Sequence, residues 1–344
     1  MSSSRPRPNL SDIASALGVS IATVSNAMSG KGRVSVEMIE KIRATAAEFG
    51  YKPSLTGRAL RTGRSGVLGL ALANIAHPLF PQIAQAVEFA AANNGYGILI
   101  ADSRGDVAAQ TDAINRLIER GVDGLVVVPR RGTRIVEVGR PVAVIDSPST
   151  PGNTVAADHW NGGQQIARHL AALGHRRFMI VGANPNSNVQ NDRIGGIRSA
   201  LSPDMVSHVI WIEEIENHHF KGCDLGLAEK VKQGFTAFAA TSDLHALRIL
   251  MELQRNGISV PREASVTGFD DLAWSSVVTP GLTTMHMDMP AIAEIAVTSV
   301  LEAIGARRNT AIASVSSVPM QIVIRKSSGE APLRTIPREG ALLS

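Results

Sequence analysis

The chain has 344 residues, 44% of them apolar and 19% charged, which is length for two or three domains and enough apolar matter to give them cores. No apolar run reaches the length of a membrane span, and the opening Met-Ser-Ser-Ser-Arg-Pro-Arg-Pro has no signal-peptide core, so a soluble, cytoplasmic protein is expected. The single cysteine, Cys223, can form no internal disulfide, in keeping with a reducing compartment. The formal net charge of +4 is unevenly spread: residues 1–64 hold ten Lys/Arg against four Asp/Glu, a net of +6, and the remainder carries −2. Positive charge gathered at one end is the electrostatic footprint of phosphate binding rather than of a generally basic surface.

Ile13, Ala14 and Leu17 recur at helical spacing and predict a short amphipathic helix. Gly18 follows as a left-handed turn residue, Val19 turns inward, and Ser20 is placed to cap a second helix from about Ile21 to Met28. Two short helices around a glycine turn are the layout of a helix-turn-helix. In the second helix Val24 and Met28 face inward, while Ile21, Ala22, Thr23, Ser25 and Asn26 face outward, the kind of face a DNA groove admits. Ser35 should cap a third helix whose stripe is Ile39, Ile42 and Ala46, with Phe49 adding bulk and Gly50 ending it. The stretch from Ser54 to Arg64 is too short and glycine-rich to be a stable helix alone, and is expected to become helical only when something orders it. Leu60, between two arginines, reads either as a wedge for the minor groove or as a linker residue resting on the next domain.

Asn-Leu-Ser-Asp-Ile-Ala from Asn9, Gly-Val-Ser-Ile-Ala-Thr-Val-Ser-Asn from Gly18, Gly-Tyr-Lys-Pro-Ser from Gly50 and Arg-Ala-Leu-Arg-Thr-Gly from Arg58 resemble, in order and spacing, the LacI/GalR family of bacterial transcription regulators. The resemblance implies a homodimer, or a tetramer, that sets two headpieces on a palindromic double-stranded DNA operator. It also implies that Ser54–Leu60 folds into a hinge helix on DNA, with Leu60 as the minor-groove lever. The implied DNA-contacting set is Ser20, Ile21, Ala22, Thr23, Ser25, Asn26 and Arg33, followed by Ser54, Arg58, Ala59, Leu60 and Arg61. Ile21, Ala22 and Asn26 would meet base edges, with Thr23, Ser25 and the basic residues on phosphates. Asn26 can pair bidentately with adenine, whereas Ile21 and Ala22 offer only apolar contact.

From Gly66 the pattern becomes alternating strands and helices. Strands are expected at 67–73, 97–101, 124–128, 142–146 and 155–158, with helices at about 81–94 and 108–120. A second half runs from a helix near 162–173 through strands at 178–181, 209–212, 236–240 and 264–269. A helix from Met289 to Leu301 and a final strand over Val318–Ile324 close the chain. Strands this apolar argue for parallel sheets covered on both faces, in two Rossmann-like halves of a periplasmic-binding-protein-like fold. The expected map is a helix-turn-helix headpiece at 1–53, a hinge helix and linker at 54–65, and an effector-binding and dimerisation domain at 66–328. Its lobes would be about 66–160 plus 286–316 and about 161–285 plus 317–328, leaving 329–344 as a flexible tail.

Ligands of such folds lie at the carboxyl ends of strands, where Asp102, Asp146, Asp158, Arg193, Asp243 and Asp270 fall. Carboxylates and a guanidinium suit the hydroxyls of a sugar-like effector through directional, bidentate hydrogen bonds. The family resemblance adds Phe80, stacking on the ligand, and Phe220, in a register uncertain by one position, to Asp146, Arg193, Asp243 and Asp270. Leu173-Gly-His-Arg, Asn191-Asp-Arg-Ile-Gly-Gly, Gly268-Phe-Asp-Asp and Pro280-Gly-Leu-Thr-Thr carry the match, while His77, Leu79 and His159-Trp160 depart from it. Trp160 could cover a sugar face or simply pack. No phosphate loop, nucleophile elbow, dinucleotide fingerprint or His-Glu-x-x-His motif is present, so neither an enzyme nor a cofactor is expected, and His218, His219 and Cys223 lack metal-ligand spacing. The function implied is a repressor of a carbohydrate or related metabolite operon, controlled by a small effector between the lobes. A nucleoside, purine or sugar-acid co-repressor, or an enzyme or solute-binding core fused to a headpiece, are the alternatives.

Overall fold

The computed structural model describes residues 8–30, 32–51, 63–130, 135, 138–148, 150, 152–306 and 316–333. They fall into two compact units, Met1–Ser65 and Gly66–Ser344. In the first, α1 (Leu10–Leu17), α2 (Ile21–Ser29) and α3 (Val36–Glu48) enclose a small core of Ile13, Ala14, Val24, Ala27, Ile42 and Ala46. Asn9 and Asp12 form a reciprocal capping box on α1, and Gly18 ends it at φ 64°, where a side chain would be strained. Ser20 and Ser35 cap α2 and α3. Phe49 does not add to the core as expected; it is exposed, and Gly50 at φ 65° turns the chain so that Tyr51 packs there instead. The Tyr51 N–H donates to Ala46 O at 2.8 Å.

The second unit has two lobes. The first lobe carries β1 (Val67–Leu72), α4 (Leu79–Asn93), β2 (Gly97–Asp102), α5 (Val107–Glu119), β3 (Gly124–Val127), β4 (Val142–Val144) and β5 (Val155–Ala157). Its parallel sheet runs β2-β1-β3-β4, and an Ile145–Val155 bridge carries it on to β5. The second lobe carries α6 (His159–Ala172), β6 (Arg177–Gly182), α7 (Asn188–Ser199), β7 (Val206–Trp211), α8 (Ile212–His218), α9 (Leu227–Lys232), β8 (Ala237–Ala240), α10 (Asp243–Arg255) and β9 (Ser265–Thr267). Its sheet runs β7-β6-β8-β9, also parallel. Strands such as Phe178-Met-Ile-Val181 are buried on both faces, which is why they read as unbroken apolar runs.

The chain crosses between lobes three times. It passes from β5 into α6, from β10 (Thr284–Met287) into α11 (Met289–Gly305), which packs on α4, and from β11 (Ser316–Val318) to β12 (Met320–Val323). The single strand expected over 318–324 is thus two. Pro319, which has no N–H to donate, separates β11, parallel to β5, from β12, antiparallel to β10. Residues 329–331, expected to belong to a flexible tail, are instead bonded to the second lobe. Gly329 N–H donates to Ser265 Oγ at 3.0 Å, and Ala331 N–H donates to Leu173 O at 2.8 Å. Among the described residues, no helix is long and apolar enough to cross a membrane.

Candidate functional site

Both sheets end on one cleft of about 520 Å3 between the lobes, within the usual range of about 300–1,000 Å3 for small-molecule sites. The floor is built by α7. Arg193 is 3% exposed, and its Nη1 donates to Thr241 O at 2.6 Å and to Asp270 Oδ1 at 3.0 Å. Its Nε donates to His159 Nδ1 at 3.3 Å, and its guanidinium lies 4.7 Å over the Phe269 ring. A guanidinium held on every side in this way is pre-set rather than searching for a ligand.

Its place depends on the crossing of α6 and α7. A Cβ on Gly163 would lie 2.3 Å from Arg193 O, and one on Gly196 would lie 2.0 Å from Trp160 O. Only hydrogen at these two positions lets the helix backbones touch. Trp160 is half exposed and packs over Gly195 rather than lining the cleft, which places it on the packing side of the two expectations.

Asp270 sits just beyond β9 at φ 106°, a left-handed conformation rare outside glycine. Oδ1 takes the Arg193 bond, while Oδ2 is buried with no hydrogen-bond partner. Burial pushes its carboxyl up to about 7 against the opposing pull of Arg193. Asp146, at the end of β4, is pushed up to about 6, chiefly by burial, although Thr150 Oγ1 donates to its Oδ2 at 2.5 Å. Two bonds join the loop beginning at Asp146 to α7 across the cleft: Ser147 Oγ donates to Asp192 Oδ2, and Asn188 Nδ2 donates to Thr150 Oγ1 at 2.9 Å.

Three histidines line the cleft, and all are driven toward the neutral form. Burial and the Arg193 charge lower His77 and His159, and burial lowers His245 to about 3. His77 Nδ1 accepts from Leu79 N–H and His159 Nδ1 from Arg193, so each presents Nε2–H. Phe80, edge-on to His77 at 5.8 Å, is among the residues lining the cleft.

Two expected site residues are elsewhere. Asp243 opens α10 with its side chain wholly buried and is not among the residues lining the cleft. Its carboxylate accepts from Leu272 N–H at 2.9 Å, Ser275 Oγ at 2.6 Å and Thr284 Oγ1 at 2.5 Å, so it ties loops together. Thr241 and Ser242, just before it, reach the cleft instead. Phe220 is 70% exposed and is not among the lining residues. Because α8 runs straight on from β7, the side chain offered there is Glu213. Asp102 and Asp158 brace turns, accepting from Ile75 N–H at 3.0 Å and Asn161 N–H at 3.0 Å. Sequence reasoning missed Asn184 and Gln190, although the run Ala183-Asn-Pro-Asn-Ser-Asn directly after an apolar strand was a signal. Gln190 Oε1 accepts from Ala183 N–H at 2.7 Å and Thr241 Oγ1 at 3.1 Å. Among the described residues, no cluster of His, Cys, Asp and Glu is placed to hold a metal ion.

In the first unit, α2 presents Ile21, Ala22 and Asn26 outward, with Thr23 and Ser25 partly covered beside them. Ser20 Oγ is engaged by the Thr23 N–H at 3.0 Å and the Thr23 hydroxyl at 2.9 Å. Gly32 lies against Asn26, where a Cβ would stand 3.1 Å from Asn26 Nδ2, and Arg33 beside it is exposed. Ser54, Arg58, Ala59, Leu60 and Arg61 lie outside the described residues.

A helix-turn-helix unit and a two-lobed α/β unit with a closed polar floor define a ligand-responsive DNA-binding regulator. Residues 9–54 match the bacterial regulatory proteins of the lacI family, and residues 167–328 match a periplasmic binding protein-like domain. An uncharacterised HTH-type transcriptional regulator from the aml 5′ region of Streptomyces limosus is 30% identical over 316 residues, 86% of this chain and 88% of that protein. The ribose operon repressor of Haemophilus influenzae is 28% identical over 305 residues, 86% of this chain and 91% of that one. The lac repressor dimer bound to operator and the anti-inducer ONPF has the same fold, with a TM-score of 0.78 at 24% identity, over 94% of this chain and 99% of that one. The chain belongs to the lacI family of bacterial regulatory proteins.

Proposed function

We propose that this chain is a cytoplasmic, homodimeric repressor that binds a palindromic operator and is controlled by a sugar or sugar derivative held between its lobes. The operator-bound dimer of the lac repressor and the name of the ribose operon repressor support the assembly and the ligand class. The observation that carries the reading is the buried, unpartnered Asp270 Oδ2 beside Arg193 on the cleft floor. A buried acceptor without a donor is costly, and a ligand hydroxyl supplies that donor while the guanidinium holds the other carboxylate oxygen. Ile21, Ala22 and Asn26 would read bases, with Thr23, Ser25 and Arg33 on the backbone. Ser54–Leu60 would order on DNA and carry the signal as a shift between ordered and disordered hinge. The chain performs no turnover in this reading: the effector leaves unchanged.

The test is a thermal-shift screen of sugars, polyols, sugar acids and nucleosides on the full chain, with each stabilising compound then titrated into a protein–operator complex. A sugar-class hit should change operator affinity, and Asp270→Asn should weaken that hit at least about tenfold. Stabilisation only by nucleosides or purines would replace the ligand class. A hit with no effect on operator affinity would refute the regulatory role.

A further inference from the structure

The helix that would enter the DNA groove carries no charge. From Ile21 to Ser29, α2 holds no Lys, Arg, Asp or Glu. Guanine is read in the major groove chiefly by Arg or Lys on O6 and N7, and the cytosine amino group by a carboxylate, so α2 lacks the groups that pick out a G·C pair. The hydroxyls beside its outer face are engaged within the headpiece. Ser20 Oγ lies 2.9 Å from Thr23 Oγ1 and accepts from Thr23 N–H at 3.0 Å. Across the first two turns, the exposed side chains are Ile21, Ala22 and Asn26. Ile21 is 51% exposed, and neither it nor Ala22 belongs to the core that joins the three helices.

An apolar side chain left in water at the reading end of a helix gains nothing there, whereas a major groove offers it one apolar partner, the C5 methyl group of thymine. Resting on the DNA-binding reading above, we infer that Ile21 and Ala22 read thymine methyl groups, and that each half-site of the operator is a short A·T run with Asn26 on one of its adenines. Helix geometry sets the length of that run. Ala22 and Asn26 stand on one face at i, i+4, about 6 Å apart along the axis, which is less than two base-pair steps of about 3.4 Å. Ile21 adjoins Ala22, so the three contacts fall within about four base pairs. Preference then comes from buried methyl groups and one carboxamide, while affinity common to all duplexes comes from phosphate contacts such as those open to the exposed Arg33. Added salt should therefore weaken every duplex and leave the ratio between them unchanged.

The experiment is a titration of the full chain with the duplex it enriches from a random pool, and with versions altered at each half-site position. Thymine is replaced in turn by deoxyuridine, which lacks only the methyl group, and a T·A pair by C·G with and without a 5-methyl group on the cytosine. Loss of a read methyl should weaken binding about fourfold in one half-site and about fifteenfold in both, the value of burying one such group in each. At that position 5-methylcytosine should bind about fourfold more tightly than cytosine. Ile21→Ala should abolish the deoxyuridine effect at one position and keep it at the next, and Ala22→Gly should do the converse, a pattern that general loosening of the headpiece would not give. Thermal melts of both variants check the fold. Deoxyuridine that binds as tightly as thymine at every position, an effect that both variants keep in full, or half-sites built on G·C pairs overturns this inference and leaves the DNA-binding reading standing. A pool from which no sequence is enriched overturns both.

Discussion

Replacing Gly196 by alanine tests whether the α6–α7 crossing holds the cleft floor in place. In an ordinary helix the change is stabilising by about 1 kcal/mol, because alanine is the better helix former. Here the new Cβ would stand 2.0 Å from Trp160 O, well inside the roughly 3.4 Å of ordinary contact, and the obstacle is backbone that cannot rotate away. The helices must therefore part by more than an ångström, and overpacking of this kind costs about 1–3 kcal/mol. Set against that gain, a net loss of about 1 kcal/mol should lower the melting temperature of the ligand-binding unit by roughly 2–4 °C. Arg193 moves with its helix, so effector affinity should fall as well. Gly195→Ala is the internal control: its Cβ would meet the Trp160 ring at 2.4 Å, but that side chain is half exposed and free to swing aside. Differential scanning calorimetry of both variants decides the matter. Equal melting temperatures for the two, or a more stable Gly196→Ala, would refute the close-crossing argument.

Arg193→Met should destabilise the second unit by about 3 kcal/mol, because it leaves Asp270 buried without its cation. Adding Asp270→Asn should recover part of that loss in denaturant melts, and simple additivity would deny the coupling. Asp146 has its folded pKa raised to about 6 from 3.8, so its ionisation penalises the folded state as pH rises through that window and the penalty is absent below it. Asp146→Asn should therefore melt above the parent protein at pH 7.5 and match it near pH 4. A constant difference across that range would contradict the assignment. Asn188→Ala and Thr150→Val remove the two ends of one bond across the cleft and should show non-additive losses of about 0.5–1.5 kcal/mol in a double-mutant cycle. Ser20→Ala removes the α2 cap and should cost the headpiece about 1 kcal/mol, read as a lower melting point of that unit.

The parts of this fold that were readable from sequence are those in which local pattern and tertiary role coincide. The apolar runs Val67–Leu72 and Phe178–Val181 can be buried only on both sides, and Ser20 and Ser35 cap helices because their side chains complete the first turn. The site was less readable, because which way a side chain points at a strand end depends on the next element. Asp243 was expected in the cleft from its place after an apolar strand, but as the first residue of α10 it turns toward Ser275 and Thr284. Phe220 was expected from an assumed loop after β7, where there is none: the helix begins at Ile212, and Glu213 takes the position facing the cleft. The break at Pro319 was written in the sequence as a residue that cannot donate, yet the exchange of partners it permits is visible only in the pairing of β11 and β12. The unpartnered oxygen of Asp270 is a property of the assembled cleft and has no sequence signature.

The central claim, a headpiece that reads a symmetric DNA site, is tested most directly by selecting bound duplexes from a random double-stranded pool with the full chain and sequencing them. An inverted repeat should be enriched, with half-sites spaced for two headpieces, and Asn26→Ala should relax preference at one base pair of each half-site. Recovery of sequences no different from the starting pool, at salt concentrations that suppress non-specific phosphate binding, would contradict it.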